Sequence, residues 1–249
     1  MKNIVIICQY AQNKGDRAIA EYLISQLGKC EDIQLTLSTT VPALWENAEK
    51  KGVRVVGMGW KTVFGTHKNK LISHIAHNLD VLYYDRFVYP ELVSEGTEKK
   101  HCRKLSGDFI TMVSEADLVI VTGGHHITSI RDKNALFPIT YDIALASLYA
   151  KKYVLWSQTI GPLSFTDDRV REFFAGIIGR ASRVYIRDNN SSECVKELMG
   201  TVPKNVYVSY DSVFGFGCEN FTPFEERENK VGISIFNGLR KAFDTFGAI

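Results

Sequence analysis

Paired cysteines are missing from this sequence. Its five, Cys8, Cys30, Cys102, Cys194 and Cys218, are scattered, form no C-x-x-C pair and have no close histidine at metal-ligand spacing. An odd, dispersed set argues against a disulfide framework and against a zinc site, and makes a reducing cytoplasm the default compartment. No apolar run approaches the roughly 20 residues of a membrane-spanning helix. The first strand-like run begins at Asn3, which leaves no room for a signal peptide. Charge of neither sign is in excess: 30 Lys and Arg against 28 Asp and Glu give a net charge of +2. That balance implies no nucleic-acid partner, although mild basicity suits phosphorylated substrates or an anionic membrane surface. A G-x-G-x-x-G fingerprint is also absent from the first strand–helix connection, so a nicotinamide cofactor is not indicated.

What is present is a regular alternation of apolar β-branched runs and helical periods. Hydrophobic residues make up 45% of the 249 residues, enough for a sizeable core and too many for a disordered chain. Asn3–Cys8 (NIVIIC) is continuously apolar, as a strand buried on both faces of a parallel sheet would be. Ile19, Tyr22, Leu23 and Leu27 then fall at helical spacing, with Asp16 expected as the N-cap. Further strands are expected at Ile33–Leu37, Val53–Met58, Asp117–Thr122, Tyr153–Ser157, Arg183–Ile186 and Asn205–Ser209. Helices are expected at Pro42–Lys51, Lys70–Leu79, Lys104–Glu115, Ile139–Lys151, Asp167–Arg180 and Asn190–Met199, the last closed by Gly200. Trp60–Lys100 has no clean period and reads as an insertion or a lid. Seven strands alternating with helices imply right-handed crossovers and a Rossmann-like parallel sheet with helices on both faces, spanning residues 1–214. Residues 215–229 read as a linker. Lys230–Phe236 (KVGISIF) starts a new strand, so residues 230–249 are expected to begin a second α/β domain that is mostly absent.

Ligands of open parallel sheets bind where the strands end and the helices begin. Four loops at that edge stand out. Asn13-Lys14-Gly15-Asp16 can hold a ligand at a helix start, or can simply be a capped turn. Thr122-Gly123-Gly124-His125-His126 lets a ligand approach the backbone, and either histidine can donate to an anion; the alternative is a tight turn with solvated histidines. Ser157-Gln158-Thr159-Ile160-Gly161-Pro162 closes a buried strand with amide and small side chains, and taken alone it reads as turn chemistry. Arg187, leaving a strand before Asp188, Ser191 and Ser192, can grip a carboxylate or phosphate, or can pair with Asp188 at the surface. Asp211 ends the last strand, either closing the domain or lining the cleft.

Taken together and in order, these loops resemble the polysaccharide pyruvyl transferase family. The matching residues are Asn13-x-Gly15-Asp16-x-Ala18-Ile19, Gly123-Gly124, Ser157-Gln158-x-Ile160-Gly161-Pro162, Arg187-Asp188 with Ser191 and Ser192, and Asp211 followed by Phe214. The resemblance covers about residues 1–236. It departs at the second loop, where Thr122 and the two histidines stand in place of a longer glycine run. The resemblance implies the N-terminal half of a fold similar to the glycosyltransferase B type. It implies transfer of a pyruvyl group from phosphoenolpyruvate to a saccharide acceptor, such as a lipid-linked sugar, in capsule, exopolysaccharide or cell-wall glycan synthesis. No metal and no other cofactor is implied. The site would lie in the cytoplasm, with room for peripheral membrane contact at its inner face. Substrate-binding residues would be Asn13, Gly15, Asp16, Gly123, Gly124, His125, Gln158, Gly161 and Arg187, with Arg187 the anion holder. The general acid would lie in the absent C-terminal half. A glycosyltransferase using a nucleotide-sugar donor, and a non-catalytic binding domain, are the competing readings.

Overall fold

The computed structural model describes residues 1–9, 13–94, 96, 98–128, 140–165 and 167–215. The chain divides into two compact units, Met1–Phe216 and Gly217–Ile249. The strand expected at Lys230–Phe236 and nearly all of the linker lie outside the described residues.

In chain order the first unit contains β1 (Lys2–Gln9), α1 (Lys14–Leu27), β2 (Ile33–Thr39), a 3-10 turn at Pro42–Trp45, α2 (Glu46–Glu49) and β3 (Arg54–Gly57). There follow α3 (Lys70–Tyr83), a π-helical turn at Tyr84–Val88, α4 (Tyr89–Val93) and α5 (Lys100–Glu115). The second half runs β4 (Leu118–Val121), β5 (Gly124–Ile127), α6 (Tyr141–Tyr149), β6 (Tyr153–Ile160), α7 (Asp168–Arg180), β7 (Arg183–Ile186), α8 (Asn189–Met199), β8 (Val206–Val208) and a 3-10 turn at Ser212–Gly215.

The strands form one sheet in the order β3-β2-β1-β4-β6-β7-β8, with β5 also paired to β6. Every pairing is parallel. The chain winds outward from β1 to β3, then jumps across to β4 and winds the other way. Because crossovers are right-handed, reversing the winding direction moves the helices to the opposite face. The two cores follow that rule. Ile4 and Ile6 of β1 pack with Ile19, Leu23 and Ile24 of α1 and with Trp45 and Ala48. Val5 and Ile7, one residue out of phase, pack with Phe109 and Val113 of α5, Ile143 of α6, Phe174 and Ile177 of α7 and Val195 of α8. Alternation with period two on a strand buried on both faces explains why β1 is apolar without interruption.

Several details differ from the sequence expectation. β6 runs on to Ile160, so that Gln158 and Thr159, expected in a loop, lie in the strand. Pro42–Lys51 is not one helix: a 3-10 turn with Pro42 in its first positions is followed by a single turn, α2. Gly124–Ile127, expected as a turn, is a short strand that extends the line of β4 and pairs with β6. Asp16 is not the N-cap of α1. Asn13 is, with extended backbone angles and an Oδ1 that accepts from Gly15 N at 2.9 Å and Asp16 N at 3.4 Å. Asp16 already lies in the first helical turn, from which a short carboxyl cannot reach back to cap. Elsewhere, Asp167 caps α7, and Gly200 closes α8 with a left-handed φ of 80°.

The segment after β3, which has no periodicity in sequence, is held by carboxylates. Its backbone N–H groups have no strand to pair with, so buried side chains accept from them. Asp142, in the first turn of α6 and fully buried, accepts from Gly59 N and Trp60 N, both at 3.0 Å. Asp80, on α3, accepts from Val63 N at 2.6 Å and Phe64 N at 3.1 Å. Glu91, in the first turn of α4, accepts from the N–H of His101 and of Cys102 at the start of α5, and from the His101 ring. Burial pushes the Asp142 carboxyl up to about 6, against the pull of the two N–H groups and of Lys61.

Candidate functional site

The winding of the sheet reverses between β1 and β4, and open α/β sheets bind ligands at the carboxyl ends of the strands at such a reversal. Two strands turn sharply at this edge. Cys8 in β1 and Ser157 in β6 adopt left-handed backbone angles, with φ of 64° and 53°. Each coincides with a break in the regular pairing of its strand. A left-handed non-glycine residue costs about 1 kcal/mol or more, and such strain collects where a backbone must present groups to a ligand. The next residue in each case is a fully buried glutamine, Gln9 or Gln158. The Gln158 amide donates to the carbonyls of Thr122, Val121 and Trp156, while its Oε1 has no hydrogen-bond partner among the described residues. Gln158 thus ties β6 to the end of β4 from inside the sheet and has an acceptor to spare.

The glycines of the second and third loops serve close approach. A Cβ on Gly123 would lie 2.8 Å from the Ser157 carbonyl oxygen and 3.1 Å from Ile19 Cδ1 of α1. Gly123→Ala therefore forces backbone apart at the crevice. We expect it to cost about 2 kcal/mol, seen as a fall of about 5 °C in Tm by calorimetry; an unchanged Tm would remove the steric account. Gly161 has φ of 93°, its Cβ position runs into Cys194 of α8, and its peptide bond to Pro162 is cis.

The two histidines of the second loop are opposite in environment, as period two on β5 requires. His125 is exposed, and its Nε2 contacts the Gly161 carbonyl, linking the second loop to the third. His126 is buried. Burial lowers it to about 4, against a backbone hydrogen bond at Thr122 and with the neighbouring Arg187 adding to the effect. His126 is therefore neutral near pH 7 and can take part only as an uncharged hydrogen-bonding group.

Arg187, at the end of β7, sits at the centre of the arrangement. Its Nε donates to Thr159 Oγ1 at 2.6 Å and its Nη1 to Asp211 Oδ2 at 2.5 Å. The expected surface pairing with Asp188 does not form in this way. Asp188 instead caps α8, accepting from Ser191 N at 2.7 Å, and accepts from Thr159 Oγ1 at 3.3 Å. Ser191 accepts in turn from Ile160 N at 2.9 Å. Thr159 and Asp188 thus form a chain of contacts behind Arg187. A guanidinium has five N–H donors in a planar fork. Two are used by Thr159 and Asp211, and the other three have no partner among the described residues.

Asp16 completes the group. It is half-buried, and burial raises its carboxyl, with Arg187 opposing and Asp211 reinforcing the shift. The first, fourth and fifth loops therefore converge: Asp16 from the start of α1, Arg187 from β7 and Asp211 beyond β8. Gly123, His126 and Gln158 lie at the same edge. Asn13 and Gly15, in the same loop as Asp16, are exposed and shape the start of α1. Residues 10–12 and 129–139, which belong to the first two loops, lie outside the described residues. Sequence reasoning missed His126 as the buried member of its pair, and the strained Cys8 and Ser157. Strand periodicity applied to Gly124–Ile127 separates the two histidines; nothing local marks the strained pair. Among the described residues no cluster of His, Cys, Asp and Glu is placed to hold a metal.

A family model described as polysaccharide pyruvyl transferase matches residues 13–248. No curated protein matches the chain. Among solved structures, the imine reductase BcSIRED from Bacillus cereus is similar at 12% identity with a TM-score of 0.31, over 86% of this chain and 57% of that one. The chain thus spans less than two thirds of that structure's length, and so remote a likeness carries no argument about chemistry.

Proposed function

The chain belongs to the polysaccharide pyruvyl transferase family, an enzyme family, and from that premise we propose that it transfers a pyruvyl group from phosphoenolpyruvate to a saccharide. Two sugar hydroxyls become a ketal and phosphate leaves. The observation that carries the reading is Arg187, fixed by Thr159 and Asp211 at the sheet edge with three N–H donors still to offer.

The chemistry sets what such a site must do. A proton adds to the terminal enol carbon of phosphoenolpyruvate, leaving positive character on the carbon that carries the carboxylate and the phosphate. One sugar hydroxyl adds there and loses its proton. The carbon–oxygen bond to phosphate breaks, and the second hydroxyl adds and loses its proton. Of the two protons released, one balances the proton taken up by carbon and the other leaves with phosphate. Arg187 holds the donor's carboxylate, a planar group suited to a guanidinium fork. Asp16 and Asp211 accept from sugar hydroxyls. His126, neutral and buried, orients a bound group without adding charge. The general acid belongs to the second half of a glycosyltransferase B type fold, of which the first unit is the N-terminal part. The acceptor is a lipid-linked saccharide of capsule, exopolysaccharide or cell-wall glycan synthesis, met at the inner face of the membrane.

The test uses the full-length protein with phosphoenolpyruvate and a panel of lipid-linked saccharides. Phosphate release that depends on the acceptor is the expected result. A ligand that binds the native state raises its melting temperature. Stabilisation by a nucleoside diphosphate but not by phosphoenolpyruvate, with no phosphate released, would replace this reading by a nucleotide-sugar transferase.

A further inference from the structure

The segment between β3 and α5 presents a surface that the transfer chemistry does not use. On α3, Leu71, Ile72, Ile75, Leu79 and Leu82 are between 40% and 69% exposed. At 3.6 residues per turn all five fall within an arc of about 100°. The helix rests on the domain through a different arc, with only Ala76 and Asp80 buried. Val63 and Phe64, in the loop that Asp80 holds against α3, add two more exposed apolar side chains. A contiguous apolar stripe of this kind marks a docking surface.

Its charges select the partner. From Lys61 to Leu79 the sequence has Lys61, Lys68 and Lys70 and no aspartate or glutamate. The first acid after them, Asp80, is buried and occupied by the loop N–H groups. A helix with an apolar stripe, lysines at its start and no acid on its exposed surface has the pattern of one that lies in a membrane interface, with its apolar arc among the acyl chains and its lysines at anionic headgroups. No described helix is long and apolar enough to cross a membrane. We propose that α3 with the Val63-Phe64 loop is a peripheral docking surface for an anionic lipid bilayer. The loop leaves the sheet at the end of β3, the same edge that carries Arg187. This gives a location to the membrane contact proposed above. Because bilayer binding needs neither donor nor acceptor, its failure would leave the transfer reading standing.

Flotation of the full-length protein with phosphatidylcholine vesicles, with and without phosphatidylglycerol, tests this. We expect binding to the anionic vesicles, little to the neutral ones, and a decline as salt rises. Lys68→Glu with Lys70→Glu should weaken binding by about thirtyfold or more. Ile75→Glu with Leu82→Glu should weaken it at least about tenfold. These positions are exposed, so the variants should keep the parent Tm. Absence of wild-type binding to anionic vesicles overturns the proposal, as does equal binding to both vesicle types or binding that survives Ile75→Glu with Leu82→Glu. Self-association abolished by those substitutions, with no vesicle binding, would assign the stripe to a second copy of the chain instead.

Discussion

Arg187→Ala should lower kcat/KM for phosphoenolpyruvate by about a hundredfold or more, since two charge-assisted hydrogen bonds to one carboxylate contribute about 3 kcal/mol. Arg187 is held at the end of β7 by Thr159 and Asp211, so its fork is oriented before any ligand arrives. That pre-orientation makes it more than a surface charge. Arg187→Lys separates charge from geometry. An ammonium is a point charge on a flexible stem and cannot satisfy Thr159, Asp211 and a planar anion together. It should therefore recover only a minor part of the lost activity. The loss should fall on the donor, with the KM for the saccharide little changed. An Arg187→Ala enzyme within threefold of the parent would remove Arg187 from donor binding. Tm serves as the control, because removing Arg187 leaves Asp211, itself mostly buried, without its cation.

The largest stability effect should come from Asp142. Asp142→Ala leaves the N–H groups of Gly59 and Trp60 without their carboxylate acceptor in a buried site, at a cost of about 3 kcal/mol. Some desolvation cost disappears with the charge, which keeps the loss below the sum of two buried hydrogen bonds. The same residue sets a pH dependence. Its folded-state carboxyl is raised to about 6, so the folded state binds the proton more tightly than the unfolded chain does. Its stabilising contribution is complete below the unfolded value, near 4, and is lost as pH rises through about 6. Over that window stability should fall by no more than about 3 kcal/mol. Asp142→Asn removes the titration, and urea denaturation at several pH values should give a flatter slope between about pH 4 and 6. A slope identical to the parent would show that Asp142 does not titrate in that window.

The parts of this molecule that sequence makes legible are those where one local rule dominates. β1 is readable because a strand covered on both faces has no position for a polar residue between Ile4 and Cys8. α8 is readable because Asp188 and Gly200 bracket it. Asp16 is misread because aspartate and asparagine satisfy the same capping preference, and only the backbone angles at Asn13 decide between them. The His125-His126 pair is ambiguous until β5 exists, since a strand separates neighbours and a turn does not. The roles of Asp80, Glu91 and Asp142 are not legible at all. Asp142 meets Gly59 across 83 positions of sequence, and no periodicity records such a pairing. Trp60–Lys100 has no readable pattern for a related reason: α3 buries little apolar surface and is tied by a carboxylate that meets backbone groups at a distance, while Tyr84, Val88 and Leu92 beyond it join the core. The convergence of Asp16, Arg187 and Asp211 is half-legible. The order of the loops places all three at one edge, but their pairing depends on how the sheet winds.

The two carboxylates on the segment after β3 have a mechanical consequence. Asp80 joins Val63 and Phe64 to α3, and Asp142 joins Gly59 and Trp60 to α6. Between them they leave no slack hinge: α3 cannot swing outward without breaking a set of charged hydrogen bonds at one end or the other. A pull on α3 is therefore delivered to the first turn of α6, which packs against β1 beside the strained Cys8. Asp80 and Asp142 thus tie α3, through residues 59–64, to the first turn of α6 at the carboxyl edge of the sheet.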